Sequence, residues 1–109
     1  DIDFVIHTYP YGLQLSTEAW KEGRQTYLFN PDKVYPYTPF EIVEEFGEEN
    51  SIQIINSFTY FDREDVSTLY FDYDGHFSAK GHEVVAEALF DQLDLEVNGF
   101  PVVLPGGVK

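Results

Sequence analysis

Residues 4–9 read Phe4-Val5-Ile6-His7-Thr8-Tyr9, a β-branched and aromatic run stopped by Pro10 and Gly12. Residues of this kind favour a pleated strand, and proline and glycine punctuate its end. The run is nearly all apolar and does not alternate, which suits a strand covered on both faces in a parallel sheet. Residues 51–58, with Ile52, Ile54 and Ile55, form a second run of this type. Two parallel strands need a long crossover between them, normally helical.

The chain between and beyond the two runs carries helical patterns. Residues 16–24 begin with Ser16 and Thr17 as cap candidates and predict a short helix ending near Gly23. Residues 25–37, rich in Tyr, Pro and Asn, read as a loop. Thr38 then offers a cap, with Pro39 at the first helical position. Phe40, Val43 and Phe46 recur at helical spacing, and Gly47 is the expected helix end. Residues 62–68 predict a polar connection, and Ser78 caps a last helix with Val85, Leu89 and Leu93 on one face. From Asn98 the tail holds Pro and Gly, with Val102, Val103 and Leu104 as a possible extra strand.

The order strand, helix, strand, helix implies an α/β class with right-handed crossovers. Ligands of such sheets sit beyond the carboxyl ends of the strands. Residues 7–14 and 56–76 would face that edge, which makes Tyr9, Tyr11 and Gln14 candidate substrate contacts. Two parallel strands alone make a poor sheet, so the chain reads as part of a larger α/β unit with apolar sheet surface left to cover. Association with a missing N-terminal half, or with itself, is the expected consequence.

Composition narrows the function classes. At 109 residues the chain is one domain at most, and 43% hydrophobic residues are enough for a core. A net charge of −14 argues against binding nucleic acid, and scattered acids read first as a solvated surface. No apolar run is long enough for a membrane span. The absence of cysteine excludes disulfides and thiolate metal sites. A start at Asp1 without Met fits a mature product or a fragment.

Chemistry concentrates between residues 72 and 82, where Asp72, Asp74, His76 and His82 lie within eleven positions. A metal site is one reading, but the two histidines lack the i, i+4 spacing that presents two imidazoles to one ion. An EF-hand loop fails too, because its register would put Tyr70 first and Gly81 last. No cofactor and no metal is expected. His82, in a first helical turn, reads as a packed or solvent-facing residue, and His7 as a core histidine. Tyr9, Tyr11, Trp20, Tyr35 and Tyr37 read as core and loop packing, with a sugar-stacking wall as the functional alternative.

The stretch Asp72-Tyr73-Asp74-Gly75-His76-Phe77-Ser78-Ala79-Lys80-Gly81-His82, followed by Val85, Ala86 and Leu89, resembles the C-terminal block of the SGNH (GDSL-type) hydrolases. In that family a loop with an Asp and a His precedes the last helix. The resemblance extends over roughly residues 3–93 and is topological outside residues 72–89. It implies a flavodoxin-like, three-layer parallel-sheet fold, of which residues 1–97 are the C-terminal part and 98–109 a tail. It implies a serine esterase acting on acyl groups, as on acylated carbohydrates or small esters, and favours an extracytoplasmic setting. His76 becomes the general base, which takes the proton of a serine nucleophile while a carboxylate holds its other nitrogen. The family's usual acid stands three residues before the histidine, where this chain has Tyr73. Asp74, two before, is the first choice, and Asp72, four before, the runner-up.

Other family parts are missing from the sequence. Ser16, Ser51, Ser57, Ser67 and Ser78 all lack a preceding Gly-Asp, and no Gly-x-Asn-Asp stretch supplies oxyanion donors. A base and an acid without nucleophile or oxyanion hole leave the chain inactive alone. The competing class is a non-catalytic, acidic α/β interaction module. The sequence encoded upstream separates the two, since a Gly-Asp-Ser block after a strand belongs only to the enzyme.

Overall fold

Strand β1 (Val5–Thr8) pairs in parallel with β2 (Gln53–Asn56), Val5 opposite Gln53 and Thr8 opposite Asn56. The arrangement comes from a computed structural model that describes residues 4–93 and the backbone of 96–97 and 100–101. Ser57 N–H continues the ladder to Thr8 O at 2.9 Å. Among the described residues the chain is a small mixed α/β domain with this two-stranded parallel sheet and four helices, α1 (Lys21–Thr26), α2 (Thr38–Asn50), α3 (Phe58–Asp62) and α4 (Ala79–Gln92). Backbone strands β3 (Glu96–Val97) and β4 (Phe100–Pro101) form a separate antiparallel pair. Residues 102–104 lie outside the described residues.

The crossover is built differently from its sequence pattern at several points. Ser16 does not cap α1; its hydroxyl accepts Glu18 N–H (3.0 Å) and Ala19 N–H (3.3 Å) in a local turn. Trp20 follows in the left-handed conformation (φ 53°), which delays α1 to Lys21. Thr38 is itself the first residue of α2, and Pro39 sits in the first turn, where its missing N–H is harmless. Gly47 does not end α2, which runs to Asn50 and stops at Ser51 in the left-handed region. Gly47 instead lets the helix touch the sheet: a Cβ there would meet Ile54 Cγ1 at 2.3 Å. In α2, Phe40 and Gly47 are buried and Val43 and Glu44 half-buried, while Phe46 is exposed.

Residues 58–62, expected as the end of a strand and the start of a connection, form α3 and bury Phe61 completely. Helix α4 begins as expected, with Ser78 Oγ accepting Gly81 N–H at 3.2 Å. Its buried residues are Gly81, Val84 and Ala88, the last two one position away from the expected stripe, and Val85, Leu89 and Leu93 are half-buried. The main core lies away from the sheet, where Ala19, Trp20, Phe61, Leu69, Tyr70 and Val84 pack together with Phe77 against them. A fully buried Phe such as Phe61 contributes about 2–3 kcal/mol through the apolar area it removes from water. At the sheet, by contrast, Phe4 and Val5 stay exposed.

Arg24 joins the crossover to this core. Its guanidinium is fully buried and donates to Lys33 O (3.1 Å), Ser16 O (2.5 Å) and Ala19 O (3.0 Å). These carbonyls come from the segments on either side of α1, so one side chain holds both against the helix. Burial pushes its pKa below the ordinary guanidinium range.

Candidate active site at the acid–histidine hairpin

Residues 69–78 form a tight antiparallel hairpin. Tyr70 bridges Phe77, Phe71 N–H donates to His76 O (2.9 Å), and Ser78 N–H donates to Leu69 O (3.0 Å). Gly75 sits in the turn at φ +77°, a conformation that disfavours any side chain. Asp74 closes the turn from its own side chain, Oδ1 accepting His76 N–H at 3.0 Å. The same bond brings Asp74 Oδ2 to 3.4 Å from His76 Nδ1. That separation is long for a hydrogen bond, so the backbone contact is the firmer of the two.

The electrostatics follow this geometry. His76 N–H, and to a lesser degree the His76 ring, hold the Asp74 carboxyl below its usual range. Both side chains are open to solvent, 59% for Asp74 and 82% for His76, so their pairing adds little stability. Asp72 contributes differently: its backbone carbonyl accepts Gly23 N–H at 2.6 Å. Of the two candidate acids, Asp74 is the one that faces the His76 ring.

The hairpin tip is docked from outside by residues that local sequence patterns do not single out. Trp20 Nε1–H donates to Tyr73 O (3.0 Å), and Gly75 lies on the indole, where a Cβ would stand 3.2 Å from Trp20 Cε2. Trp20 and Gly23 therefore fix the tip through two hydrogen bonds and one face contact. From the other side, Tyr70 Oη donates to Pro10 O at 2.5 Å, and the Tyr9 ring meets Phe77 edge-on at 5.0 Å. The base of the hairpin thus lies beside residues that follow β1, at the carboxyl edge of the parallel pair, and Gly75 and His76 share a cleft with Tyr9 and Tyr11.

Two clefts flank the tip. One, of about 410 Å³, is lined by all three histidines of the chain, His7, His76 and His82, together with Tyr9 and Tyr70. His82 is exposed on α4 and sets its ring edge-on to Phe77 at 5.6 Å. His7 Nε2 is 2.6 Å from Ser57 Oγ, and burial lowers the His7 pKa, so this imidazole is neutral near pH 7. Ser57 is completely buried, which keeps its hydroxyl from serving as a nucleophile to an external ester. The second cleft, of about 470 Å³, is aromatic and includes Asp74 in its lining.

The substrate-contact candidates lie around these clefts. Tyr9 and Tyr11 are both exposed, and Tyr11 lines both clefts. Gln14 Oε1 is committed to Tyr11 N–H at 2.9 Å, which shapes the segment after β1. Trp20 packs against Tyr27 and Phe29, with ring centroids 5.9 Å away in both cases, while Tyr37 belongs to a cluster with Phe40 and Phe58. Among the described residues, no group of three His, Asp or Glu side chains converges as a metal site, and no helix is long and apolar enough to cross a membrane. No family model, characterised protein or solved structure matches the chain.

Proposed function

We propose that the chain supplies the acid–histidine half of a serine ester hydrolase of the SGNH type, within a larger three-layer α/β domain. The observation that carries this reading is the Asp74–His76 pair, held at the tip of a hairpin whose base lies beside the carboxyl edge of a parallel sheet. Asp74 would keep the proton on His76 Nδ1 and leave Nε2 free. Nε2 would then take the hydroxyl proton of a serine as its Oγ attacks the ester carbonyl, and Asp74 would stabilise the imidazolium. That proton passes next to the leaving alkoxide, so the alcohol departs neutral. Water repeats the cycle on the acyl-enzyme and regenerates the serine. Catalytic contacts are often long before substrate binds, which accommodates the 3.4 Å separation at Nδ1.

The nucleophile and the oxyanion donors would come from outside these 109 residues, and acylated carbohydrates or small esters are the substrate classes proposed. The test is turnover of acetylated sugars and aryl esters by the full-length gene product. His76→Ala should lower turnover by about three orders of magnitude or more, because triad members act as a unit. Full-length protein that hydrolyses no ester, or is indifferent to His76→Ala, would overturn the proposal. It would leave an acidic interaction module, a reading favoured by the exposed rings of Phe71 and Tyr73 beside the tip.

A further inference from the structure

The aromatic cleft beside the hairpin shares Asp74 with the proposed ester chemistry, but its aromatic residues have no part in that reaction. Tyr11, Trp20, Tyr27 and Phe29 line it, with Asp74 and Gly75 from the tip. Tyr11 and Tyr27 are well exposed, 59% and 63%, and Phe29 is 38% exposed. Trp20 is nearly buried and sits behind them, its ring stacked with Tyr27 at 5.9 Å.

Two hydrogen-bonding groups here are already engaged. Trp20 N–H is committed to Tyr73 O, and Asp74 Oδ1 to His76 N–H. What remains is negative potential over an aromatic surface: an ionised carboxylate, several π faces, and a chain carrying −14 overall. A sugar needs a set of free donors and acceptors around its hydroxyls, and a primary ammonium needs three acceptors. A quaternary ammonium needs neither, because its charge is spread over methyl groups that donate no hydrogen bonds, and aromatic faces attract it.

We propose that this cleft binds an organic cation of the trimethylammonium class, held by Tyr11, Tyr27 and Phe29 and by the field of Asp74. The site shares Asp74 with the proposed ester hydrolysis, but its test reads binding alone, so either proposal can fail without the other. The volume of about 470 Å³ accommodates such a head group with a short tail.

Trp20, the chain's only tryptophan, is the reporter, since it touches Tyr27. Choline is titrated at low salt while Trp20 fluorescence is followed, with 3,3-dimethyl-1-butanol as the neutral isostere and methyl glucoside as the carbohydrate probe. Choline should give a saturable change with affinity at least about tenfold above the isostere, a ratio that corresponds to roughly 1.4 kcal/mol. Added NaCl should weaken it. Tyr27→Leu and Asp74→Asn should each lower the affinity several-fold, with an unchanged far-ultraviolet dichroism spectrum showing that each variant is folded. Equal affinity for the isostere would overturn the proposal by making the cleft merely apolar. Preferential binding of methyl glucoside, or no saturable response to choline, would overturn it as well.

Discussion

Replacing Gly23 by Ala sets two physical effects against each other at the residue that docks the hairpin tip. Gly23 is the third residue of α1, where alanine is intrinsically better by about 1 kcal/mol. Propensity alone therefore predicts a stabilised protein. The packing predicts the reverse, because the new Cβ would stand 1.9 Å from Trp20 Nε1 and 2.4 Å from Tyr73 O. Non-bonded atoms rest near 3.5 Å, so the indole and the tip must retreat by roughly 1.5 Å. That retreat strains the Trp20 Nε1–Tyr73 O and Gly23 N–Asp72 O hydrogen bonds, each worth about 1 kcal/mol net. Backbone and rotamer adjustment adds about 1–3 kcal/mol. The balance is a loss of about 2–4 kcal/mol after the propensity gain is subtracted. Urea unfolding followed by Trp20 fluorescence should show the midpoint fall by roughly 1–2 M, taking a slope of about 2 kcal/mol per molar. A midpoint that stays or rises would refute the claim that Trp20 and Gly23 clamp the tip.

Two further outcomes follow from the core and the sheet. Arg24→Met should cost about 3 kcal/mol or more in the same urea experiment, because it strips the donor from three carbonyls at once; a loss below about 1 kcal/mol would show that water replaces the guanidinium. His7 gives the chain a pH dependence: burial places its folded-state pKa below the unfolded value, which is about 6.5. As pH falls through about 6.5 the unfolded chain binds the proton first, so stability drops until the folded value is passed. His7→Gln should flatten the change in urea midpoint between about pH 7.5 and pH 5.5, and an unaltered slope would exclude His7 as its source.

The elements that depend on local pattern were legible in the sequence. Two apolar runs gave parallel strands, and Ser78 gave the start of α4 through a cap that reaches only three residues along the chain. Elements that depend on distant partners were not. Helix α3 forms where Phe61 finds a pocket among Tyr70 and Phe77, which its own flanks do not announce. Gly47 has the look of a helix end, yet its lack of a side chain serves the approach to Ile54. At the site, Asp74 came forward as the first-choice acid only through the family resemblance; the turn that faces it toward His76, an Asp accepting from the N–H two residues on, is a local event that the Asp-Gly-His order could have announced. Trp20 is some fifty residues away from Tyr73, and no spacing rule connects them.

The central claim is that Asp74 holds His76 with its proton on Nδ1 and its Nε2 free. Long-range proton–nitrogen spectra of the ring nitrogens, taken on the neutral imidazole, read that tautomer directly. His76 should be predominantly Nδ1-protonated and should lose this bias in Asp74→Asn, a variant whose Oδ1 still accepts the His76 N–H and keeps the turn. A His76 protonated mainly on Nε2, or one unchanged by Asp74→Asn, would contradict it.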